Sequence, residues 1–381
     1  MVSFAKLFDD DSTTCWMSTF DCLTEDESLR IRLPNHGHQY AAWMQLLEGF
    51  LDKLPRENIE FIPVAQACGK YQVATKESQW KKAQLKTLPY YMRIASDLPR
   101  IYRFSEEVEV FLSCCDDHPV PKDDIDIFRD FCKNPNIFIH TPIYAEMSAY
   151  VASFLSDLQQ RLRDPTTRKR ILERRRTVAE TTKRTENYVK RLFETCARQV
   201  VLRIDFGYGT GHADNMDTVV KDLSHFYENM RRNHLFRHLI GYIAKIEYGI
   251  QKGFHVHLLL FFDGSKRNNK SDSHLAKLIG DYWNNVITKG RGRYWNCNDR
   301  KYEFDKNKRL GIGVVHADQY EKMENLLYVV RYLCKKDQFI KPRTNPKIKL
   351  LRTGKWPNLT QPKRGAPRAS LRKDQNEKIL T

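Results

Sequence analysis

The chain has no apolar run long enough to cross a bilayer. The longest lies within GFHVHLLLFFDG, Gly253 to Gly264, and a membrane helix needs roughly 20 such residues. Its opening, MVSFAKLFDDDSTT, is acidic and lacks the basic-then-apolar order of a secretion leader. The nine cysteines are scattered and form no C-x-x-C. This excludes a zinc ribbon or disulfide framework and predicts free thiols in a reducing cytoplasm. There is no G-x-x-x-x-G-K-[ST] and no internal repeat, so the chain is expected to carry no nucleotide-driven motor of its own.

What is abundant is positive charge, and it is one-sided. Residues 1–164 hold 18 Lys+Arg against 25 Asp+Glu, while residues 165–381 hold 46 against 22. The overall +17 therefore comes from a second part at about +24, a field that attracts polyanions and speeds encounter with them. The composition breaks near Asp164-Pro165. Four regions follow: an acidic, mostly helical domain over 1–164, a basic helical connector over 165–198, a mixed domain over 199–345 and a basic tail over 346–381.

From residue 199 the pattern alternates. QVVLRIDFG, LIGYIAKIEYG, FHVHLLLFFDG and IGVVH read as strands, and segments ending NMRRNHLF, WNNVI and CKKD as helices. TKGRGRYWNCNDRKYEFDKNKRLG reads as turn-rich. Interleaved helices and one tight hairpin predict an α+β domain with an antiparallel core.

His255 and His257 stand two apart in a strand, so both project from one face while Val256 and Leu258 point to the core. Folding the hairpin about Gln251 sets Glu247 opposite His255, on the same face. A slip of one residue would send Glu247 to the other side. Two imidazoles and a carboxylate suit Mg²⁺, Mn²⁺ or Zn²⁺ and leave coordination positions open, as catalysis requires. Taken alone, H-x-H fits core packing as well. The second such pair, in Asn35-His36-Gly37-His38-Gln39, has no apolar strand behind it and reads as a loop.

In the last helix Tyr328 and Tyr332 are four apart and share a face, with Arg331 and Lys335 beside them. A tyrosine can be a covalent nucleophile, and a metal and cations can offset the charge of a phosphodiester. Arg291-Gly292-Arg293-Tyr294-Trp295 adds a basic, aromatic segment able to stack on a single strand, with Lys336 as a further basic contact. A core role for Trp295 is the competing reading.

FHVHLLLF resembles the His-hydrophobic-His motif of HUH endonucleases, and YVVRYLCKK their two-tyrosine motif. EYGIQKGFHVHLLLFFDGS with YLCKKDQ most resembles inovirus-type gene II replication proteins and their YagK/YfjJ prophage relatives, over roughly residues 199–345. The resemblance implies that Glu247, His255 and His257 hold Mg²⁺ or Mn²⁺. It implies that Tyr328 or Tyr332 attacks origin DNA, single-stranded or supercoiled, leaving a 5′-phosphotyrosine and a free 3′-OH in a bacterial cytoplasm. Arg331 stands where such helices commonly carry Lys, a role Lys335 or Lys336 could fill. A separate helicase and polymerase would be partners. The same chemistry serves relaxases and transposases, and charge alone would also suit a non-catalytic DNA-binding regulator. A zinc hydrolase would leave the tyrosines unexplained.

Overall fold

The computed structural model describes residues 37–358 except 57–75, 99–101, 121–124, 139, 210–214, 250–252, 268–271, 307–308 and 344–346. His36, the hairpin tip around Gln251 and the end of the basic tail lie outside the described residues. The fold is α+β. Helices α1 (Gly37–Lys53), α2 (Lys76–Asp97), α3 (Glu106–Asp117), α4 (Ile125–Lys133) and α5 (Pro142–Arg163) surround one apolar core that includes Phe50, Tyr91, Phe111, Phe131, Phe154 and Leu158. Gly37 and His38, expected in a loop, belong to the first turn of α1. The helical pattern of QYAAWMQLL extends back through them.

The composition break at 164 has a local cause. Pro165 cannot donate to the preceding turn, so α5 ends at Arg163 and Asp164 caps the next helix, α6 (Pro165–Thr195). Its carboxylate accepts a hydrogen bond from the Thr167 amide at 2.9 Å. With 31 residues at 1.5 Å each, α6 is about 46 Å long. It is more than the connector expected over 165–198. Its second half buries Tyr188, Val189, Leu192 and Phe193 against the sheet. Those apolar positions are diluted by charges in the sequence, and only packing reveals them.

The sheet is antiparallel throughout, built on three long strands: β2 (Arg198–Tyr208), β3 (Leu239–Gly249) and β4 (Gly253–Asp263). Strand β4 is central, between β2 and β3. Its Val256, Leu258, Leu260 and Phe262 face one layer, made by α7 (Met216–Met230), α8 (Asp272–Tyr282) and a π-helix at Trp283–Ile287. Leu258, Leu260 and Phe262 are fully buried, each stabilising the fold by on the order of 1.5–3 kcal/mol. The opposite face carries Val201, Ile243, Leu259 and Phe261. It packs under α6 and α10 (Tyr320–Phe339) through Leu326, Leu327, Val330 and Leu333. At Gly241 a Cβ would lie 2.7 Å from a methyl of Leu192, so glycine permits this close approach of α6.

Four further strands were not predicted. The turn-rich stretch contains β5 (Gly292–Asn296) and the short α9 (Lys301–Lys306). The expected tail supplies β8 (Leu351–Thr353), which pairs with β3 at the sheet edge. The predicted IGVVH strand is β6 (Gly313–His316). Strands β5 and β6 share one edge of β2, and buried Asn298 fills the break between them. Its side chain accepts from the Arg203 amide at 2.8 Å and donates to the Val201 carbonyl at 3.1 Å, satisfying backbone groups the ladder leaves open. A separate two-stranded ribbon joins β1 (Tyr102–Phe104) to β7 (Ile340–Pro342), directly after α10.

Candidate metal centre and tyrosine helix

The β3–β4 register pairs Glu247 with His255 and Tyr248 with Phe254, the alignment expected for a hairpin folded about Gln251. Gly253 enters β4 at φ +64, a conformation glycine adopts without strain. Glu247, His255 and His257 thus converge on one face, with ligand atoms within 4.8 Å of one another. Glu247 Oε2 lies 3.3 Å from His257 Nε2 and 3.8 Å from His255 Nε2. The other ring nitrogens are engaged elsewhere. His255 Nδ1 meets the Gly253 carbonyl at 3.1 Å, and His257 Nδ1 meets Asp205 Oδ1 at 2.9 Å. These contacts occupy the Nδ1 side of both rings and turn both Nε2 atoms toward the Glu247 carboxylate. The donor set therefore fits a divalent ion with open positions.

Asp205 is a residue the sequence reading missed. Strand β2 places it directly opposite His257, the position from which an outer carboxylate orients a histidine that ligates a metal. The approach is oblique rather than a straight hydrogen bond, so charge does most of the holding. Burial opposes charge on Asp205, but His257 and Arg203 outweigh it and hold its carboxyl far below the usual range. Burial also disfavours a charged His257, yet Asp205 and Glu247 push its pKa up to about 9. Arg203, also missed, sits two residues earlier on the same face, its Nε 3.5 Å from Asp205 Oδ1. The signal for both was QVVLRIDFG, whose alternation sets Arg203 and Asp205 on one face, but which face depends on pairing with a strand about 50 residues away.

Helix α10 lies over this face. Buried Lys245, opposite His257 in the register, reaches Asp337 of α10 at 2.5 Å. Tyr332 packs against the core between α10 and the sheet, within electrostatic reach of Arg203. Tyr328, one turn earlier, lies under the Arg309 guanidinium, 5.7 Å from its ring centre. Arg331 is engaged by Glu186 at 2.5 Å and Glu324 at 3.0 Å. Lys335 and Lys336 lie in α10, but their side chains are outside what the structure describes.

The aromatic, basic segment divides. Trp295 is 41% exposed, which removes the core reading. It stands opposite Asp205 in the β2–β5 register, with the Arg300 guanidinium 4.7 Å from its ring centre. Arg293 is exposed and opposite Gly207, on the same face as Trp295. Arg291 is drawn away: it pairs with Asp222 of α7 at 3.0 Å, in the opposite layer.

Residues 162–346 match the family model of the YagK/YfjJ C-terminal domain. The match runs from the end of α5 past β7 and so contains the histidines, Glu247, Asp205 and both tyrosines. No curated protein and no solved structure matches the chain. No helix among the described residues is long and apolar enough to cross a membrane.

Proposed function

We propose that the chain is a metal-dependent nicking and joining enzyme of HUH type that starts rolling-circle replication of a phage or prophage replicon. The observation that carries this reading is the cluster of Glu247, His255 and His257 on the sheet face that α10 covers with Tyr332. A DNA-binding regulator would need neither part.

Mg²⁺ or Mn²⁺, when bound, would offset charge on the scissile phosphate and fix its geometry. Glu247, His255 and His257 would be its ligands, and Asp205, 2.9 Å from His257 Nδ1, would hold that ring in place by charge. The Lys245–Asp337 pair pins α10 to the sheet and so sets the tyrosines' height over the site. The attacking phenol gives up its proton and bonds to phosphorus, and the strand on the other side leaves as a free 3′-OH. The second phenol can then take the newly copied junction. Trp295, with Arg293 beside it, offers a stacking surface for a base next to the cleaved phosphate.

The test is incubation with 3′-labelled single strands tiling the DNA around the chain's own gene, with Mn²⁺ or with EDTA. The expected outcome is a covalent adduct that requires the metal and disappears when Tyr328→Phe and Tyr332→Phe are combined. Sequence-specific binding without any adduct would favour the regulator.

A further inference from the structure

Arg331, one of the cations expected to serve the reacting phosphate, has another duty, and so has Lys245 on the His257 face of the sheet. Arg331 is held by Glu186 and Glu324, and Lys245 is fully buried against Asp337. Arg203 differs. It stands on the metal-binding face of β2, opposite Leu259 and one row from the Asp205–His257 pair. Its side chain is only 18% exposed, and its Nε makes no hydrogen bond. Among the described residues the carboxylate that pairs with it is Asp205, 3.5 Å away and shared with His257 at 2.9 Å. A guanidinium has five donors in a rigid fork. Leaving its Nε without a hydrogen bond in a nearly closed site is unfavourable unless something else completes its contacts.

We propose that Arg203 is a further catalytic residue, its guanidinium binding the transferred phosphate between the Glu247/His255/His257 cluster and the Tyr332 hydroxyl. The claim rests on the nicking reading above and makes Tyr332 the phenol that Arg203 serves. A planar fork matches two nonbridging phosphate oxygens at once. It stays protonated throughout, so it adds charge without entering the proton transfers. In the step itself the Tyr332 phenol loses its proton to water and its oxygen forms the new bond to phosphorus. The bond from phosphorus to O3′ breaks, its electron pair leaves on O3′, and O3′ takes a proton from water. Negative charge builds on the phosphoryl oxygens in between, where a fixed donor is worth most. Tyr332 of α10, which packs on this sheet face, is near enough to Arg203 for an electrostatic interaction.

The experiment compares full-length wild type, Arg203→Gln and Arg203→Lys by three readouts: Mn²⁺ affinity by calorimetry, affinity for a short single-stranded oligonucleotide without metal, and rate of adduct formation with metal. The expected result for Arg203→Gln is Mn²⁺ affinity within about twofold of wild type, several-fold weaker oligonucleotide binding, and an adduct rate down by about 100-fold. Arg203→Lys should recover part of the rate, because the charge remains and the fork does not. A fall in Mn²⁺ affinity in step with the rate would overturn the proposal, since Arg203 would then act by holding Asp205 and His257. Full activity and full strand affinity in Arg203→Gln would overturn it too. If wild type forms no adduct with any metal, the nicking reading fails, and Arg203 is judged on oligonucleotide affinity alone: an unchanged value rejects it. Should Arg203→Gln not fold, the same comparisons are made with Arg203→Lys.

Discussion

At the scale of single residues, the site depends on which nitrogen of each imidazole is committed. Asp205 sits 2.9 Å from Nδ1 of His257 and holds that side of the ring by charge. Asp205→Asn should leave the fold intact and weaken Mn²⁺ binding by about 10–100-fold, measured by calorimetry; unchanged affinity would mean that Asp205 has no orienting role. The proton on His257 gives a second expectation. In the metal-free site its pKa is raised to about 9, so a metal must displace a proton to ligate Nε2. Apparent Mn²⁺ affinity should climb with pH up to about 9 and level off above it, with proton release visible as buffer-dependent heat. The stability linkage runs the opposite way. The folded pKa exceeds the ordinary 6.5, so without metal His257 stabilises the fold fully below that value. This contribution is lost as pH rises toward 9. The histidine pair and Glu247 were legible because a strand's period of two and a short hairpin are both local. Asp205 and Arg203 were not, because nothing near them in sequence reports their pairing with β4.

At the scale of elements, the long strands and α10 announce themselves by periodicity, while the short strands do not. Strand β5 is Gly-Arg-Tyr-Trp-Asn among turn residues. Only its pairing with β2 makes it a strand and brings Trp295 to the row of Asp205 and His257. Asn298 closes the gap that β5 and β6 leave along β2. Asn298→Ala would strand the buried Arg203 amide and the Val201 carbonyl. A loss of about 1–3 kcal/mol is expected, read from the urea midpoint. No shift would show that water replaces the side chain at no cost. The same reasoning explains α6, whose charged sequence suggested a connector although its second half carries core residues.

At the scale of the whole molecule, the acidic first part and the basic second part are fastened together beside the site. Strand β1 pairs with β7, Tyr102 donates to the Tyr248 carbonyl at 2.9 Å, and Arg343 meets Glu109 at 3.0 Å. Arg174 of α6 bonds the carbonyls of Phe104 and Asp337, joining the ribbon to the end of the tyrosine helix. Composition revealed the charge division but not this bracing, whose β1–β7 and Glu109–Arg343 contacts join residues more than 200 positions apart. The charge itself gives a prediction. If a bound strand spans about four phosphates, its affinity should fall by about 50-fold between 50 and 200 mM salt, measured by fluorescence anisotropy. A flat response would mean that the basic field does not hold the strand. The central claim is tested most directly by trapping the protein on labelled single-stranded DNA with Mn²⁺ and mapping the linked nucleotide by peptide mass spectrometry. The account predicts a 5′-phosphate on Tyr332, absent in EDTA. A nucleotide linked outside α10, or the same adduct formed without metal, would contradict it.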